Sequence, residues 1–189
     1  MTGTLVVIDM QRVFGDPGSP WATPRFDAII DPIQQLIEAH GEAVVFTHYV
    51  SPAQPHGAWV DYFHDWPFAL QPPSAELWRI VAPLEAAAAR QQDLGVGPVV
   101  AETFSKWGPE LAQLVGADGR MVLVGVSTDC CVLSTALAAA DSGVEVLVVA
   151  DATAGVEDAT HAQALDLMRL YGPLIKVVTT AEAVAAARA

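Results

Sequence analysis

Three residues of reactive type each follow a short apolar run. Asp9 closes Leu5-Val6-Val7-Ile8, Lys106 comes shortly after Val99-Val100, and Cys131 comes shortly after Met121-Val122-Leu123-Val124. A carboxylate beside a thiol can take its proton and later hand that proton to a leaving amine. An ammonium beside both favours thiolate and carboxylate alike and helps to hold charge during attack. The cysteine sits in Gly125-Val126-Ser127-Thr128-Asp129-Cys130-Cys131-Val132, just before Leu133 to Ala140, a segment rich in helix formers. A thiol at a helix start meets unpaired N–H groups and the positive end of the helix dipole, which predicts a lowered pKa. The same N–H groups could hold the oxyanion of an attacked carbonyl. Taken singly, each residue has a plain alternative. Asp9 could cap a turn, Lys106 could be a solvated surface cation, and Cys131 could be small apolar filler. Their joint placement favours chemistry.

The elements that must position them alternate along the chain. Leu5–Ile8 reads as a parallel strand covered on both faces, ending in the polar cluster Asp9-Met10-Gln11. After a Pro/Gly-rich loop, Ile29, Ile30, Ile33, Leu36 and Ile37 form one helical stripe closed by His40-Gly41, with Pro32 marking a kink or a start at Asp31. Ala43–Thr47 is the second strand. Tyr49 to Pro73 then reads as a long aromatic loop without clean periodicity, and such a loop serves as a lid, a pocket wall or a subunit contact. A helical piece after Ser74, carrying Leu77, Trp78 and Val81, is expected to stop before Pro83. Val99-Val100 is a third strand, and Pro109 suits the first turn of a helix. Strands at Met121–Val124, Val144–Ala150 and Ile175–Val178 follow, with helices over Leu133–Ala140, Glu157–Leu170 and Thr180–Ala187. The pattern predicts one α/β domain over residues 1–189, a three-layer α/β/α arrangement around an open, mostly parallel six-stranded sheet of Rossmann-like type. Sites in such sheets lie beyond the carboxyl ends of the strands, at the point where strand order reverses.

Composition narrows the function classes. The chain has 189 residues, 52% hydrophobic and 16% charged, enough for a substantial core and compatible with a subunit interface. Nine Lys and Arg against a net charge of −13 exclude nucleic acid as an expected partner, because phosphate neutralisation needs clustered cations. No apolar stretch approaches the ~18 residues of a membrane span. The start, Met1-Thr2-Gly3-Thr4, lacks a signal-like pattern, and adjacent Cys130 and Cys131 make a poor structural disulfide. Both are expected as reduced thiols in the cytoplasm.

With these pieces in order, the sequence resembles the isochorismatase-like cysteine hydrolase superfamily, which includes nicotinamidases and N-carbamoylsarcosine amidase. The resemblance is carried by Val7-Ile8-Asp9-Met10-Gln11, Phe104-Ser105-Lys106 and the Gly125–Val132 stretch, with Asp151-Ala152 and His161 also in place. It implies a homo-oligomer, a dimer or tetramer, and a catalytic triad of Asp9, Lys106 and Cys131. It further implies a cis peptide at Val126–Ser127, and an oxyanion hole formed by the backbone N–H groups of Cys130 and Cys131. The implied reaction is thiolate attack on a small amide or carbamoyl compound, release of ammonia or an amine, and hydrolysis of a thioester. Nicotinamidases carry an aspartate and histidines after the second strand to hold a metal ion; here that segment reads Thr47-His48-Tyr49-Val50-Ser51-Pro52. No metal and no cofactor are therefore expected. Candidate substrate-binding residues are Gln11 and Phe14 beyond the first strand, Trp59 and Tyr62 in the aromatic loop, and Trp107 beside the lysine. Two alternatives stand beside this reading: a vinyl-ether hydrolase in which Cys131 is dispensable, and a non-catalytic interaction protein of the same fold.

Overall fold

The computed structural model describes residues 3–116 and 119–188, so Met1 and Thr2, on which the reading of the N-terminus rests, lie outside it. Six parallel strands form one sheet: β1 (Thr4–Ile8), β2 (Val44–Tyr49), β3 (Val99–Ala101), β4 (Arg120–Val126), β5 (Glu145–Ala154) and β6 (Ile175–Val178). Their spatial order is β3-β2-β1-β4-β5-β6, which places the reversal of strand order between β1 and β4. In register, Val7 lies between Phe46 of β2 and Val124 of β4.

Alternation along the strands explains the layers. Leu5 and Val7 join Val44, Phe46, Val122, Val124, Leu147 and Val149 in one buried cluster, while Val6 and Ile8 join Val45, Met121, Leu123, Val146 and Val148 in another. Successive side chains of a strand point to opposite faces, so both faces of the central strands are apolar and both need cover. Helices α2 (Ile30–His40), α4 (Ala82–Asp93) and α8 (Thr180–Arg188) supply residues to the first cluster; α5 (Pro109–Val115), α6 (Leu133–Asp141) and α7 (Asp158–Arg169) supply the second. A short helix, α1 (Arg12–Gly15), follows β1, and α3 (Trp59–Asp65) lies within the aromatic segment. Among the described residues, no helix is long and apolar enough to cross a membrane.

Two segments depart from the sequence expectation. Residues 49–73 are not a plain loop, because they hold α3 and a 3-10 turn at Pro67–Ala69. The piece after Ser74 is only a 3-10 turn, Glu76–Trp78, and Pro83 begins a helix instead of ending one. Proline in a first helical turn loses no intrahelical bond, so Pro83 is compatible with the start of α4. Pro32 does the same at the start of α2.

One backbone approach defines the centre of the molecule. Gly125 has φ +104, and a Cβ placed there would lie 2.1 Å from the carbonyl oxygen of Ile8. Glycine is what allows β4 to close on β1 at the level where both strands end.

Candidate active site

Asp9 is the first residue beyond β1 and adopts φ 46, a left-handed conformation uncommon for a non-glycine residue. Thr47, on the neighbouring strand β2, holds it at two points. The Asp9 N–H donates to Thr47 Oγ1 at 3.1 Å, and that hydroxyl donates to Asp9 Oδ1 at 2.6 Å. The other carboxylate oxygen, Oδ2, lies 2.9 Å from Lys106 Nζ, with both side chains fully buried. Oδ2 has no hydrogen bond of ordinary geometry, so its partner is the ammonium charge. Removing two charges from water is expensive, and such a pair persists only where polar neighbours support it. Here Lys106 Nζ also donates to the Thr103 carbonyl at 2.7 Å and lies 4.9 Å from the centre of the Tyr49 ring.

Cys131 arrives from the other side of β1. After β4, the Val126–Ser127 peptide is cis, and Thr128–Val132 forms one π-helical turn that runs into α6. Thr135, one turn into α6, joins this turn to the lysine segment: its hydroxyl accepts from the Lys106 N–H at 2.9 Å and donates to the Cys131 carbonyl at 2.6 Å. Asp129 anchors the opposite side, accepting from the Val156 N–H at 3.0 Å and from the Thr160 hydroxyl. His161 Nδ1 lies 2.8 Å from Thr128 Oγ1. The turn is therefore tied to β3–α5, β5–α7 and α6 by polar contacts, most of them buried or half-buried.

The thiol is not in the state that a helix start predicts. Burial pushes Cys131 well above the ordinary thiol range; the Asp9 charge and a hydrogen bond to Asp9 push the same way, and Lys106 opposes them. Desolvation, the largest cause, disfavours the charged form of a buried thiol. The surroundings of Cys131 therefore favour the thiol over the thiolate. Cys130, half-buried, is pushed up to about 11, by burial first and then by Asp129.

A cavity of about 290 Å³ opens onto this corner, lined by Phe14, Trp21, Tyr49, Tyr62, Trp66 and Phe104 together with Ser127, Cys130, Cys131 and three smaller apolar residues of its rim. Trp21 is the hub: its ring stacks on Phe14 at 6.0 Å and meets Tyr49, Trp66 and Phe68 edge-on. A larger cavity, about 450 Å³, lies against β2 and α4 and is lined by His48, Arg79 and Glu85, but none of Asp9, Lys106 and Cys131 borders it.

The structure therefore brings Asp9, Lys106 and Cys131 to one corner, with Phe14, Tyr62, Ser127 and Cys130 on the cavity wall. Val126 closes β4 beneath it, fully buried. Four expectations change. Gln11 is fully buried, and its amide serves the backbone: Nε2 donates to the carbonyls of Tyr49 and Trp78, and Oε1 accepts from the Tyr49 N–H. Trp107 follows Lys106 in sequence but turns to the other side, packing on the second core cluster and donating to Ser142 Oγ at 2.8 Å. Trp59 stands behind the wall, packed on Tyr62, Phe63 and Phe104. The Cys130 N–H donates to the Ser127 carbonyl at 3.0 Å, so it is already engaged within the turn. Trp66, expected with Trp59, Tyr62 and Phe63 of the aromatic segment as a possible pocket wall, lines the cavity; Trp21, Tyr49 and Phe104 are pocket residues that the sequence reading did not single out. Asp151, part of the sequence resemblance, accepts from the N–H and hydroxyl of Thr180 and so caps α8.

Tyr49 at the end of β2 and Val50 and Ser51 after it lack the carboxylate and imidazole donors of a metal site. No group of three His, Cys, Asp or Glu among the described residues is arranged to hold a metal ion.

An open six-stranded parallel sheet covered by helices on both faces, with Cys131, Asp9 and Lys106 gathered at its reversal point, defines the class as a three-layer α/β protein. The chain belongs to the isochorismatase family, whose domain signature matches residues 4–183. Among solved structures it is similar to a cysteine hydrolase from Pseudomonas syringae pv. phaseolicola 1448A, at 20% identity and a TM-score of 0.79, covering 97% of this chain and 92% of that one. It is also similar to nicotinamidase from Bacillus subtilis (20% identity, TM-score 0.74, covering 94% and 99%). N-carbamoylsarcosine amidase from Thermoplasma acidophilum is a third (21%, TM-score 0.72, covering 95% and 97%). The fold is thus that of the isochorismatase-like cysteine hydrolases. No curated protein matches the sequence significantly.

Proposed function

We propose that this protein is a cysteine-dependent amidohydrolase that cleaves the C–N bond of a small amide or carbamoyl compound. The observation that carries the reading is the fully buried contact of Lys106 Nζ with Asp9 Oδ2 at 2.9 Å, close enough to the buried Cys131 thiol for both charges to act on it. A packing cysteine needs neither an ion pair nor a base, and a buried ion pair is costly unless it serves a purpose.

The steps follow from the placement of the three side chains. Asp9 takes the thiol proton as Cys131 Sγ forms a C–S bond to the carbonyl carbon. Lys106 keeps the pair from carrying uncompensated negative charge as the thiolate develops. Collapse of the tetrahedral species breaks the C–N bond, and Asp9 delivers its proton to the leaving nitrogen. Water then loses a proton to Asp9 and attacks the thioester. The C–S bond breaks, the acid or carbamate leaves, and the proton returns to Cys131.

The test is ammonia release from a panel of small amides, ureas and carbamoyl compounds, run with Cys131→Ala and Cys130→Ala beside the unaltered protein. Release should vanish in Cys131→Ala and survive in Cys130→Ala. The reverse pattern would move the nucleophile to Cys130, and release that persists in both variants would end the cysteine mechanism.

A further inference from the structure

Lys106 and Trp107 lie between β3 and α5 and belong to neither, so no ladder or helical turn fixes their backbone. Two hydroxyls of α6 hold them instead, and both are bonded in the same pattern. Thr135 Oγ1 accepts from the Lys106 N–H at 2.9 Å and donates to the carbonyl of Cys131, 4 residues back, at 2.6 Å. Ser142 Oγ, at the end of α6, accepts from the Trp107 indole N–H at 2.8 Å and donates to the carbonyl of Ala138, again 4 residues back, at 2.9 Å. The two hydroxyls stand about two turns apart and so share one face of the helix. A hydroxyl bonded back to the carbonyl of the previous turn slightly weakens a helix. Here each also accepts from the loop, a second bond that helix formation does not require. The inner one, Thr135, is fully buried, and it satisfies a buried backbone donor that would otherwise lack a partner from regular structure.

We infer that Thr135, with Ser142 as its outer counterpart, is a positioning residue that fixes how the Lys106 ammonium stands relative to the Cys131 thiol. This rests on the amidohydrolase reading and deepens it. The helix that begins just after the thiol also clamps the segment that carries the lysine, so both reactive groups are measured from one rigid element. Neither hydroxyl borders the cavity, so the clamp acts through the two groups it places and not on a ligand. Placement matters because the attraction between ammonium and thiolate falls off with distance. Lys106 is the influence that lowers the Cys131 pKa against burial and Asp9. The other tie of Lys106 Nζ besides Asp9 runs to the Thr103 carbonyl at 2.7 Å, within the same loop, and does not join that loop to the helix.

The test is the rate at which iodoacetamide alkylates Cys131 at pH 8, followed by intact mass in a Cys130→Ala background. Thr135→Val keeps the shape and removes the hydroxyl, and alkylation should slow by about ten-fold as the cation moves off. Thr135→Ser should stay within about two-fold of the parent. A hydroxyl that served stability alone would, once removed, loosen the turn and uncover the thiol, so alkylation would speed up. Ser142→Ala lies at the exposed end of α6, folds irrespective of the inner bond, and should slow alkylation by about two- to five-fold. It decides the matter if Thr135→Val does not fold. On an active amide, Thr135→Val should lower kcat by about ten-fold with KM within about two-fold. Unchanged or faster alkylation in either variant, or a slowing that Thr135→Ser does not restore, would overturn the inference and leave Asp9 as what holds the lysine. Alkylation requires no substrate. The expected rates in a protein that releases no ammonia would defeat the hydrolase reading alone, and turnover with alkylation untouched by these variants would defeat the clamp alone.

Discussion

Thr47 holds Asp9 at both its backbone and its side chain, accepting from the N–H at 3.1 Å and donating to Oδ1 at 2.6 Å. One hydroxyl thus fixes a residue whose φ of 46 is otherwise unfavourable, and it leaves Oδ2 facing Lys106. The general base of the proposed reaction is aimed by a residue on the adjacent strand.

Removing that hydroxyl without changing shape is the direct test. Thr47→Val should cost roughly 1–3 kcal/mol of stability, since a buried acceptor and a buried N–H both lose a partner. With an active amide in hand, kcat should fall by about ten- to a hundred-fold with KM little changed, because the base is misplaced and the pocket is not. Thr47→Ser should restore most of it. A Thr47→Val enzyme with unchanged kcat would show that Asp9 needs no such positioning.

Lys106 offers a charge test. Lys106→Met strands the Asp9 carboxylate in the interior, and breaking a buried pair in this way costs about 3–5 kcal/mol. The double variant Asp9→Asn with Lys106→Met removes both charges and should recover part of that loss in urea unfolding, with no recovery of activity. Non-interacting sites would instead add their costs. Simple additivity of the two substitutions would refute the coupling.

The dependence of stability on pH should be a dome. His40, His48 and His161 are all held below the ordinary 6.5, chiefly by burial. Below 6.5 the unfolded chain binds protons that the folded chain does not, so stability falls as pH drops through that value. Cys130 and Cys131, ordinarily near 9.0, and Tyr62, ordinarily near 10.0 and here pushed up to about 12, behave in the opposite sense. Above about pH 9 the unfolded chain loses protons that the fold retains, and stability falls as pH rises. Urea midpoints between pH 5 and 10.5 check both limbs, and a profile that is flat across that range would contradict the burial of these groups.

Strand–helix alternation was legible in the sequence because parallel strands covered on both faces read as unbroken apolar runs, and Ile175–Val178 coincides with β6. The three reactive residues were legible for the same reason, each following such a run. Side-chain direction was not. Trp107 adjoins Lys106 but packs on the far side, and Gln11 has the chemistry of a ligand group while serving backbone atoms 38 and 67 residues away. Trp21 stands in a Pro/Gly-rich loop whose local pattern says nothing about a ring placed among five others. The direction in which the thiol is pushed was missed because a sequence shows where a helix begins and not how dry its first turn is.

The strand order also has a consequence for synthesis. β1 is made first yet occupies the interior of the sheet, and β4, which closes its second edge, begins only at Arg120. At about 5–20 residues per second, the ribosome leaves that edge unpaired for roughly 6–22 seconds after Ile8 has been joined. During that interval β2 can pair on one side, while the apolar run Leu5–Ile8 presents open hydrogen-bonding groups on the other. The nascent chain is therefore most vulnerable to wrong association before Gly125 can dock against Ile8, and the complete corner of Asp9, Lys106 and Cys131 comes into being only when that vulnerability ends.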